Sequence, residues 1–318
     1  MTFHRTLTTA ATAAFLLLAT SAFGADVIKL IVPTGPGGGT DTFFRIIAKD
    51  VEPLLEASII IINTGGAGGT IGVSQLVRSA PDGMTLGGVF MGPITVAPHT
   101  VKTPYTMDDY IPVIQLTSAP YVLCVRPDFP ASDGKSFIEA LRRNPEKYTY
   151  GTDGVAGPGQ LATERVFKAL KIKARDVPYR GAGETVPALL SGTIDIYTGS
   201  VPPGVIFEKT GRGKCLLTTS ADRLPALPNA ISLRELGIPD EETMLWRGVV
   251  VPKGTPPERV LKIQNAFEKA ASSPATKKFV EDAGEQLVII TGPALRERIK
   301  REYEVLGKLV VSLGLQPK

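Results

Sequence analysis

The residues best suited to chemistry lie in two glycine-rich segments. Residues 33–41 read Pro-Thr-Gly-Pro-Gly-Gly-Gly-Thr-Asp, and residues 63–70 read Asn-Thr-Gly-Gly-Ala-Gly-Gly-Thr. Glycine lets a ligand approach the main chain and meet its N–H groups, and a helix starting at such a loop adds partial positive charge. Two loops of this kind are suited to a small anion without using Lys or Arg. Phosphate patterns do not fit. Gly35-Pro36-Gly37-Gly38-Gly39-Thr40 places Thr40 where a dinucleotide fingerprint needs its last glycine, and Phe129 stands where a P-loop ending at Gly134-Lys135-Ser136 needs its first. Thr40 and Asp41 are expected to cap the following helix first and to meet a ligand second.

Other chemistries are poorly supplied. The chain has 2 His and 2 Cys among 318 residues, which excludes a histidine-rich metal site and a multi-disulfide scaffold. No G-x-S-x-G occurs, and His99 has no visible partner, so it reads as a surface-loop histidine. No metal or cofactor is expected. Lys+Arg 35 against Asp+Glu 31 gives a net charge of +4, too mild for a nucleic-acid protein. Cys124 and Cys215 fall in apolar strands. Export permits a disulfide, but the sequence gives no geometry, and two separately buried thiols are the expectation.

Positioning elements follow from the apolar pattern. Runs at 27–32 and 59–62 suit strands buried on both faces, with a helix at 41–56 between them. A helix at 70–79 and a strand at 85–90 complete βαβαβ, the mark of a parallel sheet with covering helices. The alternation restarts with strands at 121–125, 148–151, near Val177, 194–198 and 215–219, and helices at 136–143, 161–170 and 185–190. A strand at 247–251, a helix opened by Pro256-Pro257 and broken at Ser273-Pro274, a strand at 287–290 and a final amphipathic helix after Pro293 follow. Both glycine loops then sit at the carboxyl ends of parallel strands, where open α/β sheets bind ligands. Two α/β sheets of this size leave a cleft between them. Residues 1–24 combine His4 and Arg5 with an apolar 10–22 stretch and small residues before a cleavage site. They are expected to be a cleaved signal peptide sending the protein to the periplasm, with no later span of about 20 apolar residues.

The ordered set of motifs resembles the Bug family, the periplasmic solute-binding subunits of tripartite tricarboxylate transporters. It comprises Leu30-Ile31-Val32-Pro33, Gly37-Gly38-Gly39-Thr40-Asp41, Asn63 with Gly66-Ala67-Gly68-Gly69, Ala80-Pro81-Asp82-Gly83, Tyr150-Gly151-Thr152, Val177-Pro178-Tyr179-Arg180-Gly181-Ala182 and Trp246-Arg247-Gly248. The resemblance implies a type II-like Venus flytrap: two mixed or parallel sheets with covering helices, hinged by two crossover strands. Lobe 1 would comprise 25–120 plus 221–318, and lobe 2 would comprise 121–220. It further implies a small organic carboxylate held by Gly38, Gly39 and Thr40 with Gly66, Ala67, Gly68 and Gly69. Thr152, the loop 154–157 with Gly157, Thr198 and Ser200 would complete the second wall. Gly157, Gln160, Asp153 and Arg247 depart from what the family often carries. Arg180 and Arg247 are candidate partners for a charged ligand tail, against the plainer expectation of an arginine in solvent or paired with a surface acid. A non-enzymatic receptor, acting as a monomer and docking on separate membrane permease subunits, is the leading reading. An exported enzyme acting on a small organic acid, and a ligand sensor for a membrane signalling partner, are the alternatives.

Overall fold

The computed structural model describes residues 26–37, 39–152, 154–179 and 182–317. The expected signal peptide, Gly38, Asp153 and Arg180 lie outside the described residues. Strand β1 (Asp26–Val32), helix α1 (Gly39–Leu55), β2 (Ala57–Asn63), α2 (Thr70–Val77) and β3 (Thr85–Phe90) form the first βαβαβ unit. β1 lies parallel to both β2 and β3, with Ile28 opposite Ile59. α1 is fixed by its apolar stripe. Phe43, Phe44, Ile47 and Val51 are all fully buried against β1 and β3, each contributing about 1.5–3 kcal/mol.

After β3, a π-helical turn (Gly92–Val96) runs into the short α3 (Ala97–Thr100). Next comes β4 (Tyr110–Pro120), a strand the periodicity did not announce. Pro112 argues against a central strand because it cannot donate to a ladder. Here the pairing with the later strand β10 (Met244–Pro252) slips beside Pro112, so the missing N–H falls at an irregularity. Gln115, Thr117 and Ser118 of β4 are buried, which hides the apolar signal.

The second sheet gathers β5 (Val122–Val125), α4 (Gly134–Arg143), β6 (Thr149–Thr152), α5 (Pro158–Leu170), β7 (Arg175–Pro178), α6 (Ala182–Leu190), β8 (Ile196–Gly199), α7 (Val201–Lys209) and β9 (Lys214–Thr218). The chain then returns through β10 to α8 (Pro257–Ala271), α9 (Pro274–Asp282), β11 (Gln286–Thr291) and α10 (Gly292–Leu313). Ser273 does end α8, but its hydroxyl accepts from the Thr276 N–H and caps a further helix whose first position is Pro274. Among the described residues the strand orders are β11-β4-β10-β3-β1-β2 and β7-β6-β8-β5-β9, and both sheets are mixed. α8 packs beneath the first sheet through Ile263 and Phe267, and α10 covers its other face through Leu295, Ile299 and Leu306.

Two crossovers join the sheets, one at Tyr121 and one running from Thr219 to Thr243. Thr219 stitches them together. Its N–H donates to the Tyr121 carbonyl at 2.9 Å, and its hydroxyl donates to the Thr243 carbonyl at 2.8 Å. Residues 221–238 were expected with the first lobe, but their apolar side chains pack on the second sheet. Leu224, Leu227 and Ala230 join Cys124, Tyr197 and Phe207, while Ile231 and Leu233 join Leu123 and Phe137. The cysteine expectation is also corrected. Cys124 and Cys215 stand opposite each other on β5 and β9 and are joined as a disulfide. Cross-strand register, which the sequence does not display, brings the two sulfurs together.

Candidate functional site

A cavity of about 720 Å³ opens between the two sheets. Its first wall carries Thr34, Gly39, Thr40, Ala67 and Gly68, with Phe90, Val96, Leu245 and Arg247 behind them. Its second wall carries Val155, Ala156, Gly157, Pro158, Thr198 and Ser200, and Tyr121 sits at the crossover. Four helix N-termini converge here. α1 begins at Gly39, α2 follows the tight turn Ala67–Gly69, and α5 and α7 begin directly after Gly157 and Ser200. Their partial positive ends and backbone N–H groups suit an anion.

The two glycine loops are built differently. In the second, φ is positive at Gly66 (110°), Ala67 (47°), Gly68 (66°) and Gly69 (93°). A Cβ on Gly69 would meet the Pro33 carbonyl oxygen at 2.9 Å, so that glycine is required by the neighbouring loop. A Cβ on Gly68 would meet no atom within 4 Å, so its open side faces the cavity. In the first loop, Asp41 is buried and does not line the cavity. Its carboxylate accepts from the Gly37 N–H at 2.8 Å, from Asn63 Nδ2 at 2.8 Å and from Arg45 Nε. Burial pushes its pKa up, but these hydrogen bonds outweigh burial and hold it below the usual carboxylate value. Asp41 therefore ties the first loop to the end of β2.

Arg247 lies on β10 beside a register slip against β4 and lines the cavity. It is the one charged side chain among the described lining residues, and it is 4% exposed. Its Nε donates to Thr40 Oγ1 at 3.0 Å, and its Nη1 pairs with Glu285, which is itself buried. The guanidinium is therefore already compensated inside the fold, by an acid the sequence reading did not find. The wall beside it touches the opposite lobe: a Cβ on Gly284 would fall 2.6 Å from Val201 Cγ1 of α7.

Of the second-wall candidates, Gly157, Thr198 and Ser200 line the cavity. Thr152 is fully buried beneath it and donates to Asp176 Oδ1 at 2.8 Å. Asp176 also accepts from Gln160 Nε2 at 2.8 Å, and Gln160 Oε1 accepts from the Ala156 N–H at 2.5 Å. Burial pushes the pKa of Asp176 up, only partly opposed by Thr152 and the Val177 N–H. Burial likewise raises Glu164, which accepts from the Tyr150 hydroxyl. Gly66 and Gly69 shape their loop without lining the cavity.

His99 is not in a surface loop. It lies in α3 with its ring centroid 3.9 Å from that of Tyr303 on α10, and burial lowers its pKa. Trp246 is core, donating through Nε1 to Glu302 at 2.6 Å. Among the described residues no cluster of His, Cys, Asp and Glu could hold a metal ion, and no helix is long and apolar enough to cross a membrane.

Two mixed sheets joined by paired crossovers, with helix N-termini around the cavity between them, define the two-lobed solute-binding class. The chain belongs to the tripartite tricarboxylate transporter family receptor family, TctC, which it matches over residues 43–315. It is 31% identical over 316 residues to a UPF0065 protein of Bordetella pertussis, covering 97% of each chain. It superposes on the structure of a periplasmic transporter with TM-score 0.80 and 30% identity, covering 93% of this chain and 99% of that one. MatC from Rhodopseudomonas palustris, with bound malate, aligns at TM-score 0.74 and 26% identity, covering 89% and 98%. Rpa4515 of R. palustris, with adipate, aligns at TM-score 0.77 and 25% identity, covering 92% and 98%. The family is one of solute-binding receptors.

Proposed function

We propose that the protein is an exported receptor that closes its two lobes on a small organic carboxylate and hands it to separate permease subunits in the membrane. The observation that carries this reading is the cavity lining. Two backbone loops and four helix N-termini surround a space whose one described charged side chain is already paired with Glu285. Such a wall holds a carboxylate through N–H groups, and each charge-assisted hydrogen bond contributes about 1.5–3 kcal/mol. Malate in MatC and adipate in Rpa4515 support a carboxylate as the solute class here. Gly39, Thr40, Ala67 and Gly68 form the carboxylate end, and Gly157, Thr198 and Ser200 close over it. Cleavage of residues 1–24 releases a periplasmic monomer.

A thermal-shift screen of organic acids, each beside its amide, tests this. A ligand at 100 times Kd stabilises by about 2.7 kcal/mol, and each kcal/mol moves the midpoint by roughly 2–4 °C. The matching acid is expected to raise Tm by several degrees and its amide to do little. A broad acid library without a shift would overturn the reading.

A further inference from the structure

Resting on that reading, we infer that Gln160 is a positioning residue for binding. It holds the second-lobe wall of the cavity in place by bridging the Ala156 N–H to the Asp176 carboxylate. Val155, Ala156, Gly157 and Pro158 form the lip of that wall, just ahead of α5. Ala156 has φ +56°, a left-handed conformation that a Cβ disfavours, so something must hold it there. Gln160 sits one turn later, at the third position of α5, and its side chain reaches back. This is the geometry by which a third-position Gln satisfies an N–H ahead of a helix, here one residue earlier than the cap.

The network fixes the chemistry required at each end. The backbone N–H of Ala156 can only donate, so it takes Oε1. Asp176 Oδ1 already accepts from the Thr152 hydroxyl, and Oδ2 accepts from Gln160 Nε2. Position 160 must therefore accept on one side and donate on the other, which an amide does and an ionised carboxylate does not. β7 supplies Asp176, β6 supplies Thr152, and α5 supplies Gln160, so one hydrogen-bonded chain, half-buried at Asp176, links the lip to the second sheet. The ionisable groups facing it are Glu164 and Tyr150, bonded to each other, and Lys173, whose charge acts on Glu164.

Exchanging the two functional groups tests the assignment. Gln160→Glu keeps the acceptor for Ala156 but sets a carboxylate against Asp176. Calorimetry with malate and adipate should show binding about tenfold or more weaker than wild type at about pH 8. The deficit should shrink at about pH 5.5, where the two carboxyls share a proton and one again donates. The double variant Gln160→Glu/Asp176→Asn returns a donor to position 176 and should bind within about threefold of wild type at both pH values. Hydrogen exchange gives a readout that needs no ligand. Segment 154–157 should exchange faster in Gln160→Ala and Gln160→Glu at neutral pH and return to the wild-type rate in the double variant. Wild-type exchange in Gln160→Glu, or a folded double variant no better than the single one, would overturn the inference. A wild-type protein that binds no acid, with the exchange pattern as expected, would overturn the receptor reading and leave Gln160 as the brace of this loop.

Discussion

Replacing Gly68 by valine separates ligand contact from folding. The residue has φ +66° and lines the cavity, and a Cβ there meets no protein atom within 4 Å. The protein therefore feels only the left-handed backbone, which costs a side-chain-bearing residue about 1–3 kcal/mol. That predicts a fall in Tm of roughly 2–12 °C with the fold intact. The ligand meets a branched side chain in the space its carboxylate needs. Losing two charge-assisted hydrogen bonds removes about 3–6 kcal/mol, a loss of roughly 100- to 10,000-fold in affinity. Gly39→Val should reach the same result differently. Its Cβ would stand 3.1 Å from Arg247 Nη2, so the guanidinium that donates to Thr40 must give by a few tenths of an ångström while the branched side chain crowds the cavity. Calorimetry on variants first shown to be folded reads both effects. Wild-type affinity in folded Gly68→Val would move the carboxylate away from this loop, to Arg247 or Arg180.

Glu285→Ala strands a buried guanidinium and should destabilise by about 3–5 kcal/mol in urea titrations; a loss below about 1 kcal/mol contradicts the buried pair. Reducing the Cys124–Cys215 disulfide, or Cys124→Ser/Cys215→Ser, should cost about 2–5 kcal/mol, and thiol labelling of the unfolded, unreduced protein should find neither sulfur free. Asp41→Asn should cost about 1–2 kcal/mol, because an amide loses the Arg45 ion pair and turns one donor toward Asn63 Nδ2. The Asp41 pKa is depressed in the fold, so its contribution is present above the ordinary carboxylate value and lost as pH falls through the lower folded one. Wild-type stability should therefore fall more steeply on acidification than that of Asp41→Asn, as pH-dependent urea midpoints would show.

How much of this the sequence displayed depended on distance along the chain. β3 matches its expected span, and both glycine loops fall where strand and helix patterns meet, because those signals are local. Gly39, Thr40 and Gly68 line the cavity, but the sequence singled them out through the family resemblance, while their loops were legible locally. β4 was not, since two prolines and a buried polar run mask an inner strand. The Arg247–Glu285 pair joins residues on different strands and loops, and no pattern near either names the other. The disulfide depends on register between β5 and β9. The network from Thr152 through Asp176 and Gln160 to Ala156 spans three elements, so Thr152 looked like a lining residue when its hydroxyl is spent inside the lobe.

The most direct test of the central claim is a crystal structure of the mature protein with the acid that gives the largest thermal shift. The expected result is a carboxylate within hydrogen-bonding distance of main-chain N–H groups in the Gly39–Thr40 and Ala67–Gly69 segments, with Arg247 still paired to Glu285. A ligand carboxylate bound instead by a freed Arg247 guanidinium, or seated outside the interlobe cavity, would contradict it.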